Sequence, residues 1–104
     1  MVDRLTELRA MLADEPDDVF LLYAIAQEHA RQHDYPQAVA FYDRVIEVDP
    51  AHGYAYYHKA RSQQARGDVS GARDTILAGL SQMRLSGDAH AAGELEALLD
   101  ELAE

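Results

Sequence analysis

The stretch HDYPQAVAFYDRVIEVDP, residues 33–50, spells out a helix with both ends marked. Pro36 suits the first helical turn, where a missing N–H leaves no hydrogen bond unmade. Ala38, Val39, Tyr42, Val45 and Ile46 then recur at the spacing of one apolar face. Asp49-Pro50 stops the run, because proline drives the residue before it out of the helical region. Upstream, Leu22, Ile25, Ala26 and His29 fall at i, i+3, i+4 and i+7, a second helical stripe that ends at the break His33-Asp34-Tyr35-Pro36. Ala26 and Ala38 are small enough to let the two helices approach closely across a short turn.

This pair of helices is repeated. Moving the sequence by 34 places lays Pro16 on Pro50, Tyr23 on Tyr57, Ala26 on Ala60, Asp34 on Asp68, Ala38 on Ala72 and Ile46 on Leu80. The coincidences fall on apolar and punctuating positions, the ones that set a helix face or end a helix. The second copy therefore reads as a helix carrying Tyr56 and Ala60, a break at Gly67-Asp68, and a helix carrying Ala72, Ile76, Leu80 and Met83. Gly67 suits the left-handed residue that closes a helix.

Outside the two copies the same logic continues. Leu5, Leu8, Met11 and Leu12 lie 34 places before Val39, Tyr42, Val45 and Ile46, so residues 3–15 form half a repeat, capped by Asp3. After the break Ser86-Gly87-Asp88, residues 88–103 form a last amphipathic helix with Ala91, Leu95, Leu98, Leu99 and Leu102 on one side. Its phase is slipped by about one residue against the repeat. Residues 1–104 thus make one domain of six helices, divided as 3–15, 19–52, 53–86 and 88–103.

The spacing resembles the tetratricopeptide repeat, a 34-residue helix–turn–helix unit with large, small, aromatic and proline residues at fixed offsets. Leu22, Ile25-Ala26, His29, Ala38, Tyr42 and Pro50 stand at those offsets in the first copy. In the second they are Tyr56, Lys59-Ala60, Gln63, Ala72, Ile76 and Arg84. His29 and Gln63 depart from the usual aromatic, Lys59 from an apolar residue and Arg84 from the terminal proline. The resemblance implies an all-α fold, a right-handed α-solenoid of antiparallel helix pairs. It would hold two full units, an N-terminal half repeat and a C-terminal capping helix.

In such solenoids the first helix of each pair lines a concave groove that holds peptides. At about 100° per residue, Phe20, Tyr23, Gln27 and Arg31 centre roughly 130° away from the Leu22/Ile25/Ala26 stripe. One period on, Tyr54, Tyr57 and Arg61 answer the first three, and Gln64, the counterpart of Ala30, shares their face. The resemblance makes these eight residues the expected partner-binding groove. Tyrosine and arginine suit such a surface, each offering broad contact area with a polar end, and an arginine can receive a carboxylate. The competing role for the tyrosines is shielding between neighbouring helices. Members of the family that clamp a chaperone's C-terminal carboxylate use Lys and Asn where this chain has Tyr23 and Gln27, which argues against that partner class.

Composition narrows the function. The chain has 48% hydrophobic and 27% charged residues, the proportions of a folded globular protein. Nineteen acidic residues against nine Lys and Arg give a net charge of −10, which repels phosphate backbones and anionic lipid. Nucleic acid and membrane are therefore not the expected partners. There is no cysteine, hence neither a disulfide nor a thiolate site. The N-terminal residues are charged every few positions and lack the apolar core of a secretion signal, so a cytoplasmic location is expected.

Catalytic and metal chemistry find little footing. His29 and His33 are four apart, but no Glu or third ligand completes a zinc face, and both read as structural. His52, His58 and His90 are isolated and read as surface or groove residues. Asp14, Glu15, Asp17 and Asp18 span a helix boundary, where carboxylates favour the helix N-terminus, and lack a calcium loop's pattern. No phosphate-cradling or nucleophile-elbow motif occurs. The expectation is a non-enzymatic adaptor without metal or cofactor that holds a peptide or helix of another protein, as a monomer or weak homodimer. The rival is a homo-oligomerising structural protein, with Leu98 and Leu99 offering an adhesive edge.

Overall fold

A computed structural model describes residues 3–103 and contains six helices, with no strand among the described residues. They are α1 (Arg4–Asp14), α2 (Val19–Arg31), α3 (Tyr35–Val48), α4 (Gly53–Ala65), α5 (Val69–Ser86) and α6 (Ala89–Leu102). The starts of α2 and α4, and of α3 and α5, are 34 residues apart, so the sequence period is the structural period. Each helix packs on the next, and α6 also reaches back to α4. The thinnest Cα extent is 17 Å, the depth of two helix layers spaced about 8–10 Å apart. This is an all-α solenoid.

Short polar side chains start the helices. Asp3, Asp18, Asp68 and Asp88 accept from the backbone N–H three residues on, at 2.8 to 3.0 Å. His52 does the same with Nδ1 for Ala55 N–H at 3.2 Å, an unexpected use of histidine. The breaks inside each pair are also alike. Asp34 N–H donates to His29 C=O at 2.9 Å, and Asp68 N–H donates to Gln63 C=O at 2.8 Å. This closure needs a left-handed residue just before it, and His33 (φ 61°) and Gly67 (φ 86°) supply it.

The core runs along the inside of the stack. Leu8 and Leu12 of α1 join Leu22, Ile25, Ala38, Tyr42 and Val45 in one cluster. Tyr56, Ala60, Ile76, Leu80, Met83 and Leu95 make the next. Ile46 touches both clusters and links them. Met11, grouped with this stripe by sequence, is instead 54% exposed. The end helix α1 has α2 as its main neighbour, so its buried arc is narrow and Leu8 and Leu12 fill it. α5 has 18 residues against 14 in α3, which delays α6. Leu95 and Leu98 are buried 35, not 34, places after the buried Ala60 and Gln63.

Three of the four departures from the repeat pattern are accommodated by a partner, and the fourth, Arg84, is exposed. His29 is buried and stacked on Phe41 at 5.6 Å, with Nε2 facing Arg9 at 3.4 Å and Nδ1 3.7 Å from Asp34. Gln63 accepts a hydrogen bond from the Thr75 hydroxyl. Lys59 turns its ammonium to Asp43 of α3. A polar residue at a core offset is tolerated when its polar end finds a partner.

Candidate functional site

The eight residues expected to line the groove have different surroundings. Phe20 and Tyr54, 34 places apart near the starts of α2 and α4, are 74% and 52% exposed. Both present rings to solvent. Tyr23 and Tyr57, one turn further, are half-buried.

The tyrosines converge on a residue that sequence reading left as incidental. The His58 ring has Tyr57 at 5.2 Å, Tyr23 at 6.2 Å, Tyr42 at 6.3 Å and Tyr54 at 6.4 Å between centroids. Four tyrosines from three helices thus surround one imidazole. Burial holds the His58 pKa below its usual value, and the positive charge of Arg61 pushes the same way. Burial raises the Tyr23 and Tyr42 phenols, with charge repulsion from Tyr54 adding to it at Tyr23 and from Tyr23 at Tyr42. His58, Tyr23 and Tyr42 are therefore neutral at physiological pH. Nothing in the spacing of His58 marks it, since its ring neighbours come from α2, α3 and α4.

Gln27 is committed internally. Its Oε1 accepts from the Tyr42 hydroxyl, and its Nε2 donates to the Tyr23 oxygen at 3.3 Å. It braces the groove floor. The two arginines also part company. Arg31 leans on Glu28, which holds Arg4 of α1 as well, and so faces the N-terminal end. Arg61 lies over the Tyr57 ring at 5.7 Å, and its Nη1 reaches Gln64 Oε1 at 3.3 Å and Glu101 Oε2 of α6 at 3.1 Å.

Between α2 and α4 a cleft of roughly 220 Å³ opens toward the groove. Tyr35 and Tyr42 of α3 form its floor, and the small side chains Ala30, Ser62 and Ala65 leave the space empty. Gln27, His58 and Arg61 supply its remaining walls. Among the described residues no three His, Asp or Glu side chains group as metal ligands, and no helix is long and apolar enough to cross a membrane.

Comparison with known proteins bears on this geometry. The family profile of the tetratricopeptide repeat matches residues 29–99, more than half of the chain. The chain belongs to the tetratricopeptide repeat family. TPR repeat-containing protein PA0015 of Pseudomonas aeruginosa is 28% identical over 95 residues, covering 91% of this chain and 90% of that protein. The solution structure of BPP2914 from Bordetella parapertussis superposes with a TM-score of 0.84 at 27% identity, over 99% of this chain and 90% of the other. The TPR2B domain of yeast Sti1, solved as a complex with pHsp70, gives a TM-score of 0.85 at 24% identity over 95% and 79% of the two chains. That last likeness is one of fold.

Proposed function

We propose that this tetratricopeptide chain is an adaptor that holds a peptide segment or helix of a partner protein. The partner lies along the face carrying Phe20, Tyr23, Gln27, Arg31, Tyr54, Tyr57, Arg61 and Gln64. In this reading α1 is a half repeat, α2–α3 and α4–α5 are the two full units, and α6 caps the stack. The family is a protein-interaction fold, and catalysis has no part in the proposal.

The observation that carries the reading is the exposure of Phe20 and Tyr54 at equivalent repeat positions. An isolated exposed aromatic needs no explanation, but two in register on adjacent helices form a ledge. Burying each ring against a partner contributes about 1.5–3 kcal/mol. Tyr23 and Tyr57 sit deeper and support the ledge, so they are poor choices for a clean test. The test is affinity capture from the native cell extract with wild type and with Phe20→Ala/Tyr54→Ala. The expected result is loss of a specific partner with the melting midpoint unchanged. Equal capture by both proteins removes the groove from the function.

A further inference from the structure

The cleft beside Arg61 carries an inference that rests on the adaptor reading and sharpens it. At roughly 220 Å³ it falls below the range of about 300–1,000 Å³ for sites that enclose a whole small ligand. It is the size of one side chain. On a chain of net charge −10, none of the residues that line it is acidic. Its polar groups are the Arg61 guanidinium, the Tyr35, Tyr42 and Ser62 hydroxyls, the His58 ring and the Gln27 amide. The Gln27 oxygen is already occupied by Tyr42. The walls thus offer donors to an incoming group, with apolar ring and alanine surface around them.

Arg61 already holds a carboxylate. Glu101 Oε2 lies 3.1 Å from Nη1, and the two side chains are 43% and 50% exposed. A pair this exposed is weak and exchanges readily. The Tyr57 ring and Gln64 also hold Arg61, through contacts that do not involve Glu101. α6 therefore presents, at the cleft rim, a stand-in for an outside ligand.

We propose that the cleft receives an aspartate or glutamate side chain of the bound partner segment, whose carboxylate replaces Glu101 on Arg61. Glu101 is then a built-in competitor, and the last helix sets the threshold for binding. The acidic protein can take an acidic anchor here because this cleft is lined by no acid and edged by Arg61.

The probes are N-acetyl-glutamate N-methylamide, its glutamine counterpart and N-acetylglycine, titrated to about 50 mM into isotope-labelled full-length protein. Shifts are read by NMR at the Ala30, Tyr35, Ser62 and Ala65 amides. The glutamate probe is expected to move them and the other two are not. Glu101→Gln should tighten the glutamate probe about two- to five-fold relative to Asp100→Asn, which removes the same charge from the next residue without touching Arg61. Arg61→Gln should abolish the response. Equal response to the glutamine probe, response to N-acetylglycine alone, equal affinities of the two α6 variants, or no response in Glu101→Gln each overturn the proposal. The glutamate comparison in the α6 variants stands even if Arg61→Gln misfolds. A partner lost by Phe20→Ala/Tyr54→Ala but kept by Arg61→Gln sinks the acidic subsite and leaves the adaptor standing.

Discussion

The Thr75 hydroxyl donates to Gln63 Oε1 at 2.6 Å, joining α5 to α4 inside the core. The residues 34 places earlier, Phe41 and His29, meet in the same seam by ring stacking at 5.6 Å. One repeat position pair is thus closed by rings in one copy and by a hydrogen bond in the other. Each solution fills the same gap, and each depends on both partners being present.

Breaking the second pair on one side should therefore cost more than breaking both sides. Thr75→Val keeps the shape but leaves the buried Gln63 oxygen without a donor, a loss of about 1–3 kcal/mol. Gln63→Leu added to it removes the stranded group and should restore most of the stability. Urea denaturation of the two single variants and the double closes the cycle. A neutral Thr75→Val would mean that Gln63 is satisfied by solvent.

The turns predict opposite signs at equivalent sites. His33 and Gly67 both sit at positive φ, 61° and 86°, and only glycine does so without steric cost. His33→Gly should stabilise by a few tenths to about 1 kcal/mol, and Gly67→Ala should destabilise by about 1 kcal/mol. No atom would meet a Cβ at Gly67, so backbone conformation alone decides that result. Thermal melts of both variants check it, and a destabilised His33→Gly would show that the His33–Tyr35 ring contact at 5.8 Å outweighs the strain.

How much of this was legible follows from where the information lies. The stripes at Leu22/Ile25/Ala26 and Ala38/Tyr42/Val45 are properties of single helices, so spacing alone revealed them. The 34-residue period then fixed the stacking, and Phe20 with Tyr54 fell on one exposed line. His58 escaped because its four tyrosine neighbours are set by distances between helices. Tyr42 was visible as a core residue, but the bond from its hydroxyl to Gln27 depends on how deeply α3 sits beneath α2. The split fate of Arg31 and Arg61 was equally out of reach. It is decided by Glu28 and Glu101, one on the same helix and one 40 residues away.

Two histidines make stability depend on pH with a definite sign. Burial lowers the folded pKa of His29 and of His58 from 6.5, and nearby arginines, Arg9 and Arg61, act in the same direction. Asp34 opposes the shift at His29 and Glu94 opposes it at His58. The unfolded chain thus binds more protons in the window just below 6.5, so stability rises with pH there. The contribution is complete above 6.5 and is lost as the pH falls toward the lowered values. Chemical denaturation between about pH 7.5 and about pH 5.5 should show this loss, and His29→Phe should make the slope shallower. An unchanged slope in that variant would remove His29 as a source.

Two helical glycines should respond oppositely to the same change. Gly79 in α5 lies where an added Cβ would stand 2.9 Å from Tyr56 Cβ and 3.0 Å from Leu95 Cδ1. The Tyr56 atom is fixed to the α4 backbone and cannot swing aside, so the helices must separate. Gly79→Ala gains about 1 kcal/mol of helix propensity but incurs about 1–3 kcal/mol of overpacking, and the clash wins. Gly93 in α6 has nothing within 4 Å of the same atom and is exposed. There the propensity gain stands alone, and Gly93→Ala should stabilise by about 0.5–1 kcal/mol. Paired urea titrations decide the matter. If Gly79→Ala proves neutral, α4, α5 and α6 are less tightly seated than this contact requires, and the position of Glu101 against Arg61 loosens with them.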